Sequence, residues 1–294
     1  MESALTITEP TKDDLIAALS WQVEAGADEA LWDKASFADE VTVRLSDVMS
    51  GEATSTAPSK PPVSAGPAMP ARDEAIAAQP SSDTSPQAAS LAQIQTLEAL
   101  KQAMADFDKC DLKRTASHLV FSDGNPAAKI MVIGEAPGRD EDRVGLPFVG
   151  KAGQMLDHML ASIGLSRDDV YITNILPWRP PGNRTPTSEE IAMMRPFVAR
   201  HIQLISPDVI FAVGGTSAKS LLQVSDGIMK LRGKRFDLTL PSDEGGLEES
   251  YPLLPSLHPA YLLRAPHHKA LAFKDLLALR HLAHTQRASV SASK

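Results

Sequence analysis

Lys129–Gly150, KIMVIGEAPGRDEDRVGLPFVG, decides the fold. Its first five residues are short, β-branched and apolar, as expected of a strand covered on both faces. The chain then empties into the seventeen residues 134–150, which hold four Gly and two Pro and read as a loop. Glycines at a strand end let a backbone approach a ligand, and the strand fixes where the amides point. Phe148, beside Pro147, gives that loop one aromatic face on which a flat ligand could lie.

Working outward, Val170–Thr173 and Val209–Val213 repeat the short apolar pattern, and residues 152–163, 189–205 and 217–223 have helical spacing between them. A strand pair near Arg235–Leu240 and Tyr251–Leu257 precedes a C-terminal helix from about Lys269. Helical periodicity also covers Leu91–Phe107. This alternation predicts a three-layer α/β/α domain around a central, mainly parallel, doubly wound sheet spanning 91–286, with 287–294 as a flexible tail. In such sheets the ligand cleft lies beyond the C-terminal strand ends. Three segments should meet there: residues 134–150, Asn174 onward and Ser256 onward.

The N-terminal third reads differently. Residues 1–95 carry 15 Asp/Glu and 5 Lys/Arg, net −10, and the remaining 22 acids and 24 bases leave the rest at net +2, which together give the chain its −8. A mildly basic core permits a nucleic-acid or phosphate partner without demanding one. Within the acidic segment 1–50, Thr11–Leu31 reads as one amphipathic helix, packed on its own core or docking a protein partner. Residues 51–90 are rich in Pro, Ala, Ser and Thr and read as a disordered linker.

One cysteine among 294 residues excludes an internal disulfide framework and fits a reducing compartment. No apolar run approaches the roughly 20 residues of a spanning helix. A cytoplasmic monomer is expected. The scattered histidines and single Cys110 offer no metal-ligand spacing, and the loop glycines match neither GxxxxGK[ST] nor GxGxxG.

Asn174 ends the strand VYITN, where a carboxamide offers one acceptor and two donors to the edge of a base. The plain alternative is an Asn capping a turn. His258, in LPSLHPAYLLR, follows another strand end and could donate to charge developing on a ligand oxygen. Glu135 lies wedged at the end of the first strand and faces the cleft. Its neighbours Asp140, Glu141 and Asp142 read by default as a solvated acidic face. Arg179, Arg184 and Arg264, flanked by Pro or Gly turns, are candidate phosphate contacts.

Three blocks in order, GEAPGRDEDRVGLPFVGKAG, TNILPWRPPGNRTP and HPAYLLR, resemble the uracil-DNA glycosylase superfamily, specifically its family 4. The resemblance implies excision of uracil from DNA by base flipping and hydrolysis of the N-glycosidic bond, monofunctional, leaving an abasic site. It assigns leaving-group stabilisation to His258, beside which Glu135 is the second candidate catalytic residue, and uracil binding to Ala136, Glu141, Phe148 and Asn174: Phe148 stacks, Asn174 reads N3–H and O4, and Glu141 crowds the C5 position against thymine's methyl. DNA contacts fall on Asn183, Arg184, Tyr261, Leu262, Leu263 and Arg264, with the wedge open among Tyr261, Leu262 and Leu263.

Two departures stand out. A sister family's water-positioning Asp is Ala136 here, which shifts that task to Glu135 and the backbone. The four cysteines that hold a [4Fe-4S] cluster in family 4 align with Phe107, Cys110, Trp178 and Met194, so no cofactor is expected and a hydrophobic plug is the replacement. Alternative readings keep the fold with hypoxanthine, xanthine or mispaired bases as substrate, or make the chain an inactive DNA-binding repair module.

Overall fold

The computed structural model describes residues 91–241 and 248–292, with side chains to residue 283. The readings of the Thr11–Leu31 helix and the 51–90 linker lie outside the described residues.

Six strands form one sheet: β1 (Asp123–Gly124), β2 (Ile130–Gly134), β3 (Val170–Asn174), β4 (Val209–Val213), β5 (Phe236–Pro241) and β6 (Glu248–Ser256), in the order β1-β3-β2-β4-β6-β5. The four central strands are parallel, and β1 and β5 close the edges antiparallel. Every residue of β2, β3 and β4 is buried, which is why each reads as a continuous apolar run. The two-residue β1 carries no periodicity, and the sequence reading missed it.

Period-two alternation sends neighbouring side chains to opposite layers. Met131, Ile133, Ile210 and Ala212 join one core with Phe197, Val198 and Ile202 of α5 (Ser188–Ile205). Ile130, Val132, Phe211 and Val213 join the other, with Leu156, Met159 and Leu160 of α4 (Lys151–Ala161) and Leu276 and Leu279 of α9 (Lys269–Ala292). Three layers result, as expected. The last helix continues past residue 286.

Two expectations need correction. The helix read over 91–107 is interrupted: Thr96 is extended, its side chain accepts from Ala99 N at 3.1 Å, and α1 covers Leu97–Asp106. Residues 134–150 are not one loop either, because Arg139–Val144 form a helix, α3, that starts at Gly138 and ends at Gly145. Four other short α-helices are α2 (Leu112–Thr115), α6 (Gly215–Leu222), α7 (Ile228–Leu231) and α8 (Pro259–Arg264), with 3-10 turns at Arg167–Asp169, Pro181–Asn183 and Pro266–His268. Of these only α6 was read from the sequence; single turns leave too little pattern.

Candidate active site

Parallel pairing sets Gly134 opposite Asn174 and Val213 opposite Ser256, so the cleft residues leave the sheet on one edge. Gly134 tolerates no side chain there. A Cβ on it would lie 2.3 Å from Asn174 Oδ1 and 2.6 Å from Phe148 Cζ. The Phe148 ring in turn stacks with His258, centroids 5.8 Å apart and planes 28° from parallel. The structure thus brings together Phe148, Asn174 and His258, with Glu135 and Ala136 following Gly134 as half-buried residues.

Asn174 is 5% exposed, and among the described residues its carboxamide has no hydrogen-bond partner. A buried amide left unpaired costs about 1–3 kcal/mol, a cost that a ligand edge would recover. His258 caps α8, its Nδ1 accepting from Ala260 N at 3.1 Å, which places the proton of the neutral ring on Nε2. Burial, aided by the positive charge of Arg264, lowers its pKa to about 4. At neutral pH it is therefore an uncharged donor.

Phe148 is held by contacts absent from the sequence reading. Its backbone is left-handed, φ 54°, a strain of roughly 1 kcal/mol or more for a non-glycine residue. Arg167 donates to Phe148 O while binding Asp123 and, through Nε at 2.7 Å, Asp157. Gly153 admits the first turn of α4 against the same carbonyl, since a Cβ there would lie 1.7 Å from it. Nothing local marks Arg167, 19 residues away, as part of this site.

The acidic run is solvated only in part, with the Asp140 side chain 41% exposed. Glu141 and Asp142 are buried. Glu141 Oε1 accepts from Val149 N at 3.0 Å and Gly150 N at 2.8 Å, while Oε2 accepts from Gly138 N at 3.1 Å. Asp142 Oδ1 accepts from Ser117 N at 2.7 Å and His118 N at 3.2 Å. Both carboxylates tie the α3 segment to its surroundings.

Of the expected DNA contacts, Arg184 forks onto Glu190 at 2.9 and 2.5 Å, and Asn183, itself left-handed at φ 56°, accepts from Arg179 Nε at 2.7 Å. Leu262 is fully buried, Tyr261 hydroxyl lies 2.8 Å from His268 Nδ1, and Leu263 is 43% exposed. Arg264 is exposed at the end of α8.

Near α1, Cys110, Trp178 and Met194 are buried in one core, with Phe107 packed against it and its ring 5.1 Å from that of Phe197. Burial raises the Cys110 thiol pKa, which keeps it protonated. Two further buried groups support the sheet. His201, hydrogen-bonded at 2.7 Å to Tyr171 hydroxyl, is lowered to about 3 by burial. Asp275, 1% exposed, takes Ser256 Oγ at 2.7 Å and Arg232, yet burial raises its carboxyl to about 6.

A doubly wound sheet whose strand ends gather a free buried carboxamide, an aromatic ring and a neutral imidazole defines an α/β protein with a site for a flat, polar-edged ligand. The uracil DNA glycosylase superfamily model matches residues 121–279, and the chain belongs to that superfamily. It is 42% identical over 149 residues to a type-4 uracil-DNA glycosylase of Archaeoglobus fulgidus, covering 49% of this chain and 75% of the relative. A type-4 enzyme of Thermotoga maritima is 38% identical over 169 residues, 57% of this chain and 83% of its own. One from Sulfurisphaera tokodaii is 36% identical over 197 residues, 65% and 87%.

Proposed function

We propose that this chain is a uracil-DNA glycosylase of base-excision repair, hydrolysing the N-glycosidic bond of uracil in DNA and leaving an abasic site. The observation that carries the reading is the buried, unpaired Asn174 carboxamide beside Phe148 and His258, in a chain of this superfamily. A base inside a duplex is unreachable, so the enzyme takes the flipped nucleotide. Phe148 stacks on the ring. Asn174 accepts from uracil N3–H and donates to O4, a pattern cytosine does not offer.

Cleavage leaves negative charge on the departing uracil. Neutral His258 donates Nε2–H to O2, and the amides near Glu135 and Ala136 share the charge; donors of this kind are typically worth about 3 kcal/mol each. Glu135, with the backbone, orients the attacking water opposite the leaving base. Glu135→Gln tests this step, since unchanged single-turnover excision removes Glu135 from it.

The Glu141 carboxylate supports a reading as the clasp that holds the Phe148 loop, with exclusion of the thymine methyl resting on the wall it braces. For the wedge, the exposure of Leu263 favours it over buried Leu262 and over Tyr261, which is engaged with His268. Assays on uracil, hypoxanthine and thymine-mismatch duplexes fix the range of bases.

The residues aligned with the family's cluster ligands do not fit a [4Fe-4S] centre. One buried, protonated thiol cannot replace four thiolates. Phe107, Trp178 and Met194 instead fill the position with apolar volume, and no step of the reaction passes through iron.

A further inference from the structure

We propose that a cleft beside the uracil site, formed where α3, the start of α4 and the loop after β3 meet, grips a phosphodiester of the substrate strand through Arg139, Lys151 and Arg179. The inference rests on the glycosylase reading; it joins Arg139 and Lys151 to Arg179, which the sequence had already marked as a candidate phosphate contact.

The cleft has a volume of about 440 Å³ and brings the three cations together from three separate elements. Arg139 is the first residue of α3 and Lys151 the first of α4; Arg179 lies five residues after Asn174. Arg179 is oriented before any ligand arrives, because its Nε is committed to Asn183 and both terminal amino groups remain for a phosphate. Asn183 holds a left-handed backbone at this point, so the Arg179–Asn183 pair sits on a constrained turn. Lys151 has no partner among the described residues. Arg139 has, among the described residues, only Asp140, at 3.9 Å, with its own side chain 79% exposed.

Acid offsets only part of this charge: the lining sets three cations against Asp140 and Glu141, and the Glu141 carboxylate faces the amides of Gly138, Val149 and Gly150. Gly150 caps an eleven-residue helix whose N-terminal end adds positive potential on the same side. Arg184, by contrast, lies in the same Pro-rich loop but is neutralised by its fork onto Glu190. The strand's charge is therefore met by Arg179 and its two neighbours.

Glu141 and Gly150 line the cleft and also brace the Phe148 loop, so a phosphate held there lies one wall away from the base pocket. Such a contact fixes the strand's register without reading sequence.

The test uses the full chain and single-stranded uracil DNA. The double variant Lys151→Ala with Arg179→Ala is compared with wild type for the salt dependence of binding. Each lost phosphate contact lowers the slope of log affinity against log salt by about 0.7 for single strands. Weakening should be equal on uracil and thymine strands. Methylphosphonate replacement, one linkage at a time around the uracil, should weaken wild type at one flanking linkage and leave the double variant indifferent there. Inorganic phosphate competing only in the molar range keeps the assignment to the strand; displacement of DNA by millimolar phosphate would assign the cleft to free phosphate and overturn it. An unchanged slope, or equal methylphosphonate losses in both proteins, also overturns it. If wild type excises uracil in these outcomes, only the cleft fails; if it does not, the glycosylase reading fails first.

Discussion

Val149 N donates to Glu141 Oε1 at 3.0 Å, so the residue after the stacking ring is fixed by a carboxylate eight positions upstream. This clasp spans α3 and converts a Gly-rich segment into a rigid wall. A catalytic pocket needs its ring placed to within a fraction of an ångström, and the wall supplies that placement.

Removal of the clasp should therefore hurt uracil excision before it alters base choice. Glu141→Ala leaves three amides without their acceptor, at about 1–3 kcal/mol of stability for each one that stays buried and unpaired. Single-turnover excision of uracil should fall on the order of 10²-fold, with no gain of thymine excision. An intact uracil rate with new activity on thymine would assign Glu141 to methyl exclusion instead.

His258 should not titrate across the neutral range. Its pKa is lowered to about 4 by burial and by Arg264, so the ring stays neutral with Nε2 as donor from pH 8 to pH 5. The single-turnover rate should show no step near 6.5, the ordinary imidazole value. His258→Ala should cost roughly 10²–10³-fold in rate, as removal of an oxyanion donor does.

Acid should weaken the fold through the buried imidazoles. His201 and His258 have folded pKa values of about 3 and about 4, below the unfolded value of 6.5. Their contribution is complete above pH 6.5 and lost as pH falls from there toward the folded values, at about 1.4 kcal/mol per pH unit each. Asp275 acts oppositely: its carboxyl is raised to about 6, so its contribution is complete below 3.8 and lost as pH rises through 6. Between pH 6 and 4.5 the net loss is that of about one histidine. Urea unfolding at stepped pH should show this slope in wild type and a nearly flat profile in His201→Gln.

Much of this was legible in the sequence. Buried parallel strands carry unbroken apolar runs, so β2, β3 and β4 and the convergence of Phe148, Asn174 and His258 followed from pattern and motif order. What escaped was the support. Arg167 reaches Phe148 from another element, and Glu141 and Asp142 look solvated until their amide partners are known. Short helices such as α3, single-turn and charged, leave no apolar stripe to read. The Arg184–Glu190 fork likewise depends on the α5 capping turn, which a linear reading of RPPGNR does not contain.

The proposed apolar plug of Phe107, Trp178 and Met194 should be structural. Purified protein should carry no stoichiometric iron and no brown chromophore, and chelators should leave its melting unchanged. Met194→Ala opens a cavity in the core shared with Cys110 and Trp178 and should cost about 2–5 kcal/mol. Iron at one cluster per chain would contradict the plug.

Single-turnover excision from single-stranded uracil DNA, wild type against Asn174→Ala, tests the central claim most directly. Wild type should release uracil and leave an alkali-labile abasic site, and the variant, lacking the amide proposed to read the base edge, should be slower by about 10²-fold or more with its fold intact. Wild type no more active than Asn174→Ala would contradict the account and leave a DNA-binding module in place of an enzyme.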